Sequence, residues 1–311
     1  LRDVAATLAR RATAADLPAR LGLVVESITD LTARLDVIAP RLDDPKCTSI
    51  RDARGSYYWQ SPLGREGTLA FLFPGEGSQY PGMLADLCPH FPEIRALFDT
   101  SDRLAREGGA IAPPSAALFD GSGGERLWEM GTAVNLVLST QWAIHGLLLK
   151  LGLRPGAVVG HSSGEFLALA AAGSIRVDRG FEQRINALDA VFTRLEASGG
   201  VASARLVGAA TNRQRAEEAI GEFAGAVSVA IDNCPHQVVL AGPRDAVEIV
   251  VGRLRTAGVT IEELPFDRAY HTSEFAPAIG PIHDFFRSID VAPPEVPLYS
   301  CSTAGRFGDD P

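Results

Sequence analysis

Apolar and polar positions follow three different rhythms along this chain. In residues 1–66 a short helix carrying Val4 and Leu8 precedes an apolar strand over 21–25. Ser27 followed by Asp30 forms a capping box, and Ile28, Leu31, Leu35 and Ile38 lay one apolar stripe along the helix behind it. Residues 43–64, rich in turn formers and aromatics, read as a connecting arm that packs rather than floats. From Thr68 the pattern turns to α/β. The unbroken apolar run 69–73 predicts a strand buried on both faces, ended by Pro74-Gly75-Glu76-Gly77. Helical periodicity covers 91–106 and 133–151. A strand over 157–159 then leads into Gly160-His161-Ser162-Ser163-Gly164, with helices predicted over 166–172 and about 178–197.

Residues 200–264 have a third rhythm. Strand 201–207 precedes a helix capped by Thr211, with Gln214 behind it, that runs to 223. Strands 226–231 and 237–240, a helix over 244–257 and a strand over 259–264 follow. That order is the split β-α-β of a ferredoxin-like unit. The chain then returns to its first α/β region. Three units follow: 1–66 as a small α/β linker, 67–199 with 265–311 as one subdomain, and 200–264 inserted between them.

Bulk properties narrow the class. A chain of 311 residues, 46% hydrophobic and 22% charged, is ordinary for a globular protein with a sizeable core. Its net charge of −9 argues against nucleic acid or an anionic membrane surface as a partner. Near the serine motif the longest apolar stretch, 166–172, is too short to span a bilayer. Cys47, Cys88, Cys234 and Cys301 are scattered without metal-ligand spacing, which suits reduced thiols in a cytoplasmic protein and no bound metal. Both ends read as cut from a longer polypeptide.

The chemistry centres on Ser162. G-x-S-x-G between a strand and a helix is a nucleophile elbow, a sharp turn that exposes a serine hydroxyl. That hydroxyl needs a base within about 3 Å. His161 is adjacent in sequence and reads as a packing or substrate-contacting residue, because neighbouring side chains on an elbow diverge. His145 sits in an apolar helix as a structural group. His90 and His283 begin or occupy helices with polar neighbours, and His236 lies in a hairpin of the inserted unit. His271, in Tyr270-His271-Thr272, follows the return to the first α/β region and is either the base or a satisfied surface histidine. No acidic third member stands out, so a Ser-His dyad oriented by a backbone carbonyl is favoured over a triad. Ser163 would supply one oxyanion N–H, and the turn Gly75-Glu76-Gly77-Ser78-Gln79 the other. Read as a nucleotide loop, that turn fails, since Tyr80 stands at the third glycine of GxGxxG.

Phe71 to Gln79, Gly160 to Glu165 and Tyr270-His271-Thr272 together resemble the malonyl-CoA:acyl carrier protein transacylases. The closer likeness is to acyltransferase domains of type I polyketide synthases, with an iterative, enediyne-type flavour around Glu76 and Ser162-Ser163. The resemblance implies an α/β-hydrolase-like large subdomain, a ferredoxin-like small one, and a preceding linker from a neighbouring ketosynthase. It further implies that Ser162 is acylated from malonyl-CoA and passes the acyl group to the phosphopantetheine of an acyl carrier protein. His271 would shuttle the proton, the amides of Glu76 and Ser163 would hold the oxyanion, and no tightly bound cofactor is needed. A carbonyl near Ser300–Cys301 would orient His271.

Three positions depart from the family pattern. Glu76 replaces a glutamine, and Asn135 replaces a glutamine in the helix over 133–151. Ala187 stands where the family carries an arginine that binds the extender's carboxylate in a bidentate pair. Arg184, one turn earlier on the same predicted helix, is the preferred substitute and Arg194 the alternative. The large side chain of Tyr270, placed by the resemblance beside the acyl α-carbon, predicts malonyl over methylmalonyl. A serine hydrolase or editing thioesterase using the same dyad, and a non-catalytic docking module, are the competing readings.

Overall fold

The computed structural model describes residues 1–14, 17–62, 67–107, 113–119, 124, 126–178, 184, 187–188, 190–192, 194–195, 198–265 and 267–308. The chain divides into two compact units, Leu1–Thr68 and Leu69–Pro311. The first holds helices α1 (Arg2–Ala14) and α2 (Ile28–Leu42) and strands β1 (Arg20–Leu23), β2 (Ser49–Asp52) and β3 (Ser56–Trp59). Ser27 Oγ accepts from the amide of Asp30 at 3.0 Å, while the Asp30 carboxylate reaches back to the amide of Glu26 at 3.1 Å. This is a capping box whose return bond lands one residue early.

The expected connecting arm is instead a hairpin. β2 and β3 pair antiparallel, and β3 also pairs with β1, giving the order β1-β3-β2. Tyr57 and Trp59 stack at 6.2 Å on one strand face, as residues two apart must. The turn residues of 52–55 close the hairpin; the short strands had hidden behind them.

In the second unit, β4 (Ala70–Phe73), β5 (Ala157–Gly160) and β10 (Leu298–Ser300) run parallel, with β11 (Gly305–Arg306) antiparallel at the edge, in the order β11-β10-β5-β4. Around them lie α3 (Pro92–Glu107), α4 (Pro114–Phe119), α5 (Met130–Lys150) and α6 (Gly164–Ala171). Phe71, Phe73, Val158, Leu167 and Leu298 form one core with α5 and α6. Burial of each such side chain contributes about 1.5–3 kcal/mol. The two-sided burial expected of β4 does not occur. Its pattern alternates, and Leu72 is 72% exposed, because β4 is an edge strand with helices packed on the Phe71–Phe73 face.

Within α5, Thr132–Lys150 is long and apolar enough to cross a membrane. Here it is a core helix, packed on α3, α4 and α6 with Leu136 and Val137 fully enclosed. His145 on this helix is buried among Phe71, Phe73 and Trp142, and burial pulls its pKa down.

Residues 205–263 carry β6 (Arg205–Ala209), α7 (Arg213–Ile220), β7 (Ser228–Cys234), β8 (Gln237–Gly242), α8 (Arg244–Thr256) and β9 (Ile261–Glu263). The antiparallel order β7-β8-β6-β9 is that of a ferredoxin-like sheet, with α7 and α8 packed on one face. The cap of α7 is Asn212, whose Oδ1 accepts from Arg215 N at 2.9 Å. Thr211, expected in that role, is buried one residue too early. Helix α9 (Ala276–Arg287) follows the return to the parallel sheet. Of the helix expected over 178–197, most lies outside the described residues; its described positions from 184 to 195 are helical.

Candidate active site

Ser162 sits on the turn between β5 and α6 with φ of 53°, in the left-handed region that a serine enters only when its surroundings force it. Close packing does the forcing. The amide of His161 donates to the Phe73 carbonyl at 2.9 Å. A Cβ on Gly164 would overlap that same carbonyl oxygen, and a Cβ on Gly75 would lie 2.9 Å from Ser162 Cβ. The glycines let the β4 turn and the first turn of α6 come together around the serine.

Ser162 Oγ lies 2.9 Å from Nε2 of His271, although 109 residues separate them. His271 also has a left-handed backbone, with φ of 57°. Thr272 Oγ donates back to the Ala269 carbonyl at 2.6 Å and fixes the turn that presents the imidazole. Part of the ring reaches solvent, yet its setting lowers its pKa: burial contributes most, His161 adds to the effect, and Glu165 opposes it. The lowered pKa favours the neutral imidazole, the form that can accept a proton.

Glu76 and Ser163 lie side by side, and among the described residues neither amide donates to an acceptor on another residue. Gln79 holds the loop that carries Glu76. Its buried side chain accepts from Gly77 N at 2.8 Å and donates to the Leu127 carbonyl at 3.2 Å. The Glu76 carboxylate accepts from Ser163 Oγ at 2.9 Å. Burial pushes its pKa up, while its own amide, the Ser163 hydroxyl and His161 hold it down in part.

These groups open onto a cavity of about 1190 Å³ within the second unit, between the parallel sheet and the edge of the ferredoxin-like sheet. His161, Asn135 and Tyr270 all line it. The Tyr270 ring packs against Phe275 at 5.2 Å. Leu188 and Phe192, one helical turn apart, line it as well. Arg184 precedes Leu188 by one more turn, so it projects from the same helix face although it is not itself a lining residue. It is half-buried, and among the described residues its enclosed Nε has no hydrogen-bond partner. Arg194 and Ala187 are exposed.

Two further features escaped the sequence. No hydrogen bond to Nδ1 of His271 occurs among the described residues, so the expected carbonyl near Ser300–Cys301 does not orient it. The end of β10 turns its donors to Glu165 instead: Oε1 accepts from Ser300 Oγ at 2.8 Å and from Cys301 N at 2.9 Å. Glu165 is part of the elbow motif, but nothing in its local sequence announces a partner so far downstream.

A family model described as acyl transferase domain matches residues 70–306. Polyketide synthase GfsB of Streptomyces halstedii is 32% identical over 265 residues, 80% of this chain and 4% of that protein. The chain thus spans a small part of the curated relatives it matches. Among solved structures, the acyltransferase domain from the second module of the salinomycin polyketide synthase aligns with a TM-score of 0.73 at 27% identity, covering 99% of this chain and 71% of that one. The malonyl-transacylase PlMCAT, solved in complex with the type II polyketide synthase acyl-carrier protein AntF, is similar at a TM-score of 0.63 and 26% identity, covering 75% of this chain and 74% of that one.

Proposed function

The chain belongs to the acyl transferase domain family, and we propose that it loads a malonyl extender from malonyl-CoA onto an acyl carrier protein through an ester on Ser162. The observation that carries this reading is the 2.9 Å contact between Ser162 Oγ and His271 Nε2 on a strained elbow. Ser162 Oγ attacks the thioester carbonyl while His271 Nε2 takes the hydroxyl proton. The amides of Glu76 and Ser163 receive the charge that develops on the carbonyl oxygen. As the C–S bond breaks, His271 returns the proton to the departing CoA sulfur. In the second half the phosphopantetheine thiol gives its proton to His271 and attacks the ester, and Ser162 leaves as the alcohol. The chemistry calls for no cofactor beyond the thioester substrate.

Arg184 is the group proposed to bind the malonyl carboxylate, since its enclosed Nε lacks an acceptor among the described residues. The Glu76 carboxylate, also on the cavity wall, is engaged by Ser163 Oγ. Asn135 and His161 complete the polar wall. The carrier protein is the partner on the strength of the PlMCAT–AntF likeness. Residues 1–66 would join a ketosynthase within a cytoplasmic polyketide synthase, a setting that suits four free thiols.

Mixing the protein with malonyl-CoA and reading intact mass tests the reaction class. A malonyl increment that moves to a phosphopantetheinylated carrier protein faster than to water is the expected result. Release to water at an equal rate would make the protein a hydrolase.

Tyr270 supports the choice of extender. Its ring packs against Phe275 and lines the cavity, and beside the acyl α-carbon it would take the room that an α-methyl group needs. One methyl clash costs about 1–3 kcal/mol, so malonyl-CoA should outcompete methylmalonyl-CoA by roughly 10–200-fold in Ser162 labelling. Equal labelling from an equimolar mixture sinks this assignment.

A further inference from the structure

Glu165 stands three residues after Ser162, in the first turn of α6, and reaches across to the end of the neighbouring strand. Its Oε1 accepts from Ser300 Oγ at 2.8 Å, Cys301 N at 2.9 Å and Ser302 N at 3.4 Å. Ser302 N also donates to Ser300 Oγ at 3.1 Å, which closes a small ring of bonds around the carboxylate. Ser300 lies opposite Gly160 in the β5–β10 pairing, so this ring joins the strand entering the elbow, the helix leaving it and the adjacent strand end. Glu165, Ser300 and Cys301 all line the reaction cavity.

Glu165 and His271 line the same cavity, one in the first turn after Ser162 and the other in hydrogen-bond contact with it. Burial and His161 disfavour a charged His271, and Glu165 acts in the opposite sense. Among the described residues, the other titratable or charged groups on the cavity wall are Glu76, Tyr270, Tyr299, Cys301 and the ion pair of Arg213 with Asp232 at 3.0 Å. Arg268 and Glu274 flank His271 on its own segment. Proton transfer turns His271 into an imidazolium in each half of the reaction, within a setting that penalises that charge.

We propose that Glu165 is a positioning residue for acyl transfer, tying the elbow helix to the end of β10 and holding a fixed negative charge beside the imidazole that carries the proton. The proposal rests on the Ser162–His271 reading. It assigns to a carboxylate bonded elsewhere the electrostatic part that a directly bonded acid plays in a triad.

Glu165→Gln separates the two roles, because an amide oxygen still accepts the three donors while the charge is lost. Acylation by malonyl-CoA, followed as intact mass in single turnover across pH, is the measurement. Neutral His271 is the active form, so the rate rises with pH through its midpoint. Without the charge that favours protonation, this acid limb should move to lower pH. The maximal rate should fall roughly tenfold, a fraction of the 10²–10⁴ that general acid–base catalysis supplies, with KM little changed. Glu165→Ala should lose more rate and also melt at lower temperature. An unmoved acid limb in Glu165→Gln overturns the proposal, whether its rate is unchanged or falls together with that of Glu165→Ala. Should Glu165→Gln not fold, Glu165→Asp keeps a charge, and a downward shift of its acid limb would be equally fatal. Absence of any Ser162 adduct in the unaltered protein would refute the underlying reaction instead.

Discussion

Ser162→Ala is expected to eliminate the malonyl mass increment and to lower acyl transfer by at least about 10⁴-fold, as removal of the nucleophile does in serine enzymes that work through a coupled base. The variant should fold. Alanine carries the same Cβ as serine, so it meets the same left-handed backbone strain at φ of 53° and leaves the packing of Gly75 and Gly164 around the elbow intact. Malonyl-CoA should still bind, since the proposed carboxylate anchor and the cavity wall are untouched. Because Ser162 and His271 act as one unit at 2.9 Å, adding His271→Ala to Ser162→Ala should cost little more than either change alone. A full-sized adduct in Ser162→Ala, mapped to another residue, would move the nucleophile elsewhere.

Arg184→Ala should have the next largest effect, and it should be selective. Charge-assisted hydrogen bonds contribute about 1.5–3 kcal/mol each, so losing a bidentate pair lowers kcat/KM for malonyl-CoA by roughly 100-fold or more. Acetyl-CoA has no carboxylate for Arg184 to bind, and its acylation rate should stay the same, so preference between the two esters collapses. Arg184→Lys should recover only part of the loss, because an ammonium cannot form the planar fork. The apo protein should gain stability from Arg184→Ala: an enclosed Nε without a partner costs about 1–3 kcal/mol, which the substitution relieves. Lower activity with a higher melting temperature is the signature of a group kept for its ligand. Malonyl loading unchanged in Arg184→Ala would rule the arginine out as anchor.

The elbow was legible from residues alone. Gly160 and Gly164 around Ser162, set between an apolar strand and an apolar helix, describe a turn in which backbones touch, and local chemistry suffices to specify it. The small sheet was legible for the same reason: its strands and helices follow one another closely, and their periods of 2 and 3.6 are written in Val207, Val238, Leu240, Val247 and Val250. Where a feature depended on which strand lies at an edge, sequence misled. The run ending in Phe71-Leu72-Phe73 reads as doubly buried, and only the order β11-β10-β5-β4 leaves Leu72 exposed. The hairpin of β2 and β3 was hidden in the same way, since strands of four residues gain their stability from β1 alongside and carry little periodicity of their own.

Ser162 and the ferredoxin-like order were therefore determined by the chain itself, through steric rules that act over a few residues. The meeting of Ser162 with His271, the reach of Glu165 to Ser300, and the enclosure of Arg184 beside the face of Leu188 and Phe192 were decided by tertiary structure alone. Each joins groups far apart in sequence or depends on what a neighbouring element covers. Proton transfer and carboxylate binding depend on separations of about 3 Å, which only packed elements can set.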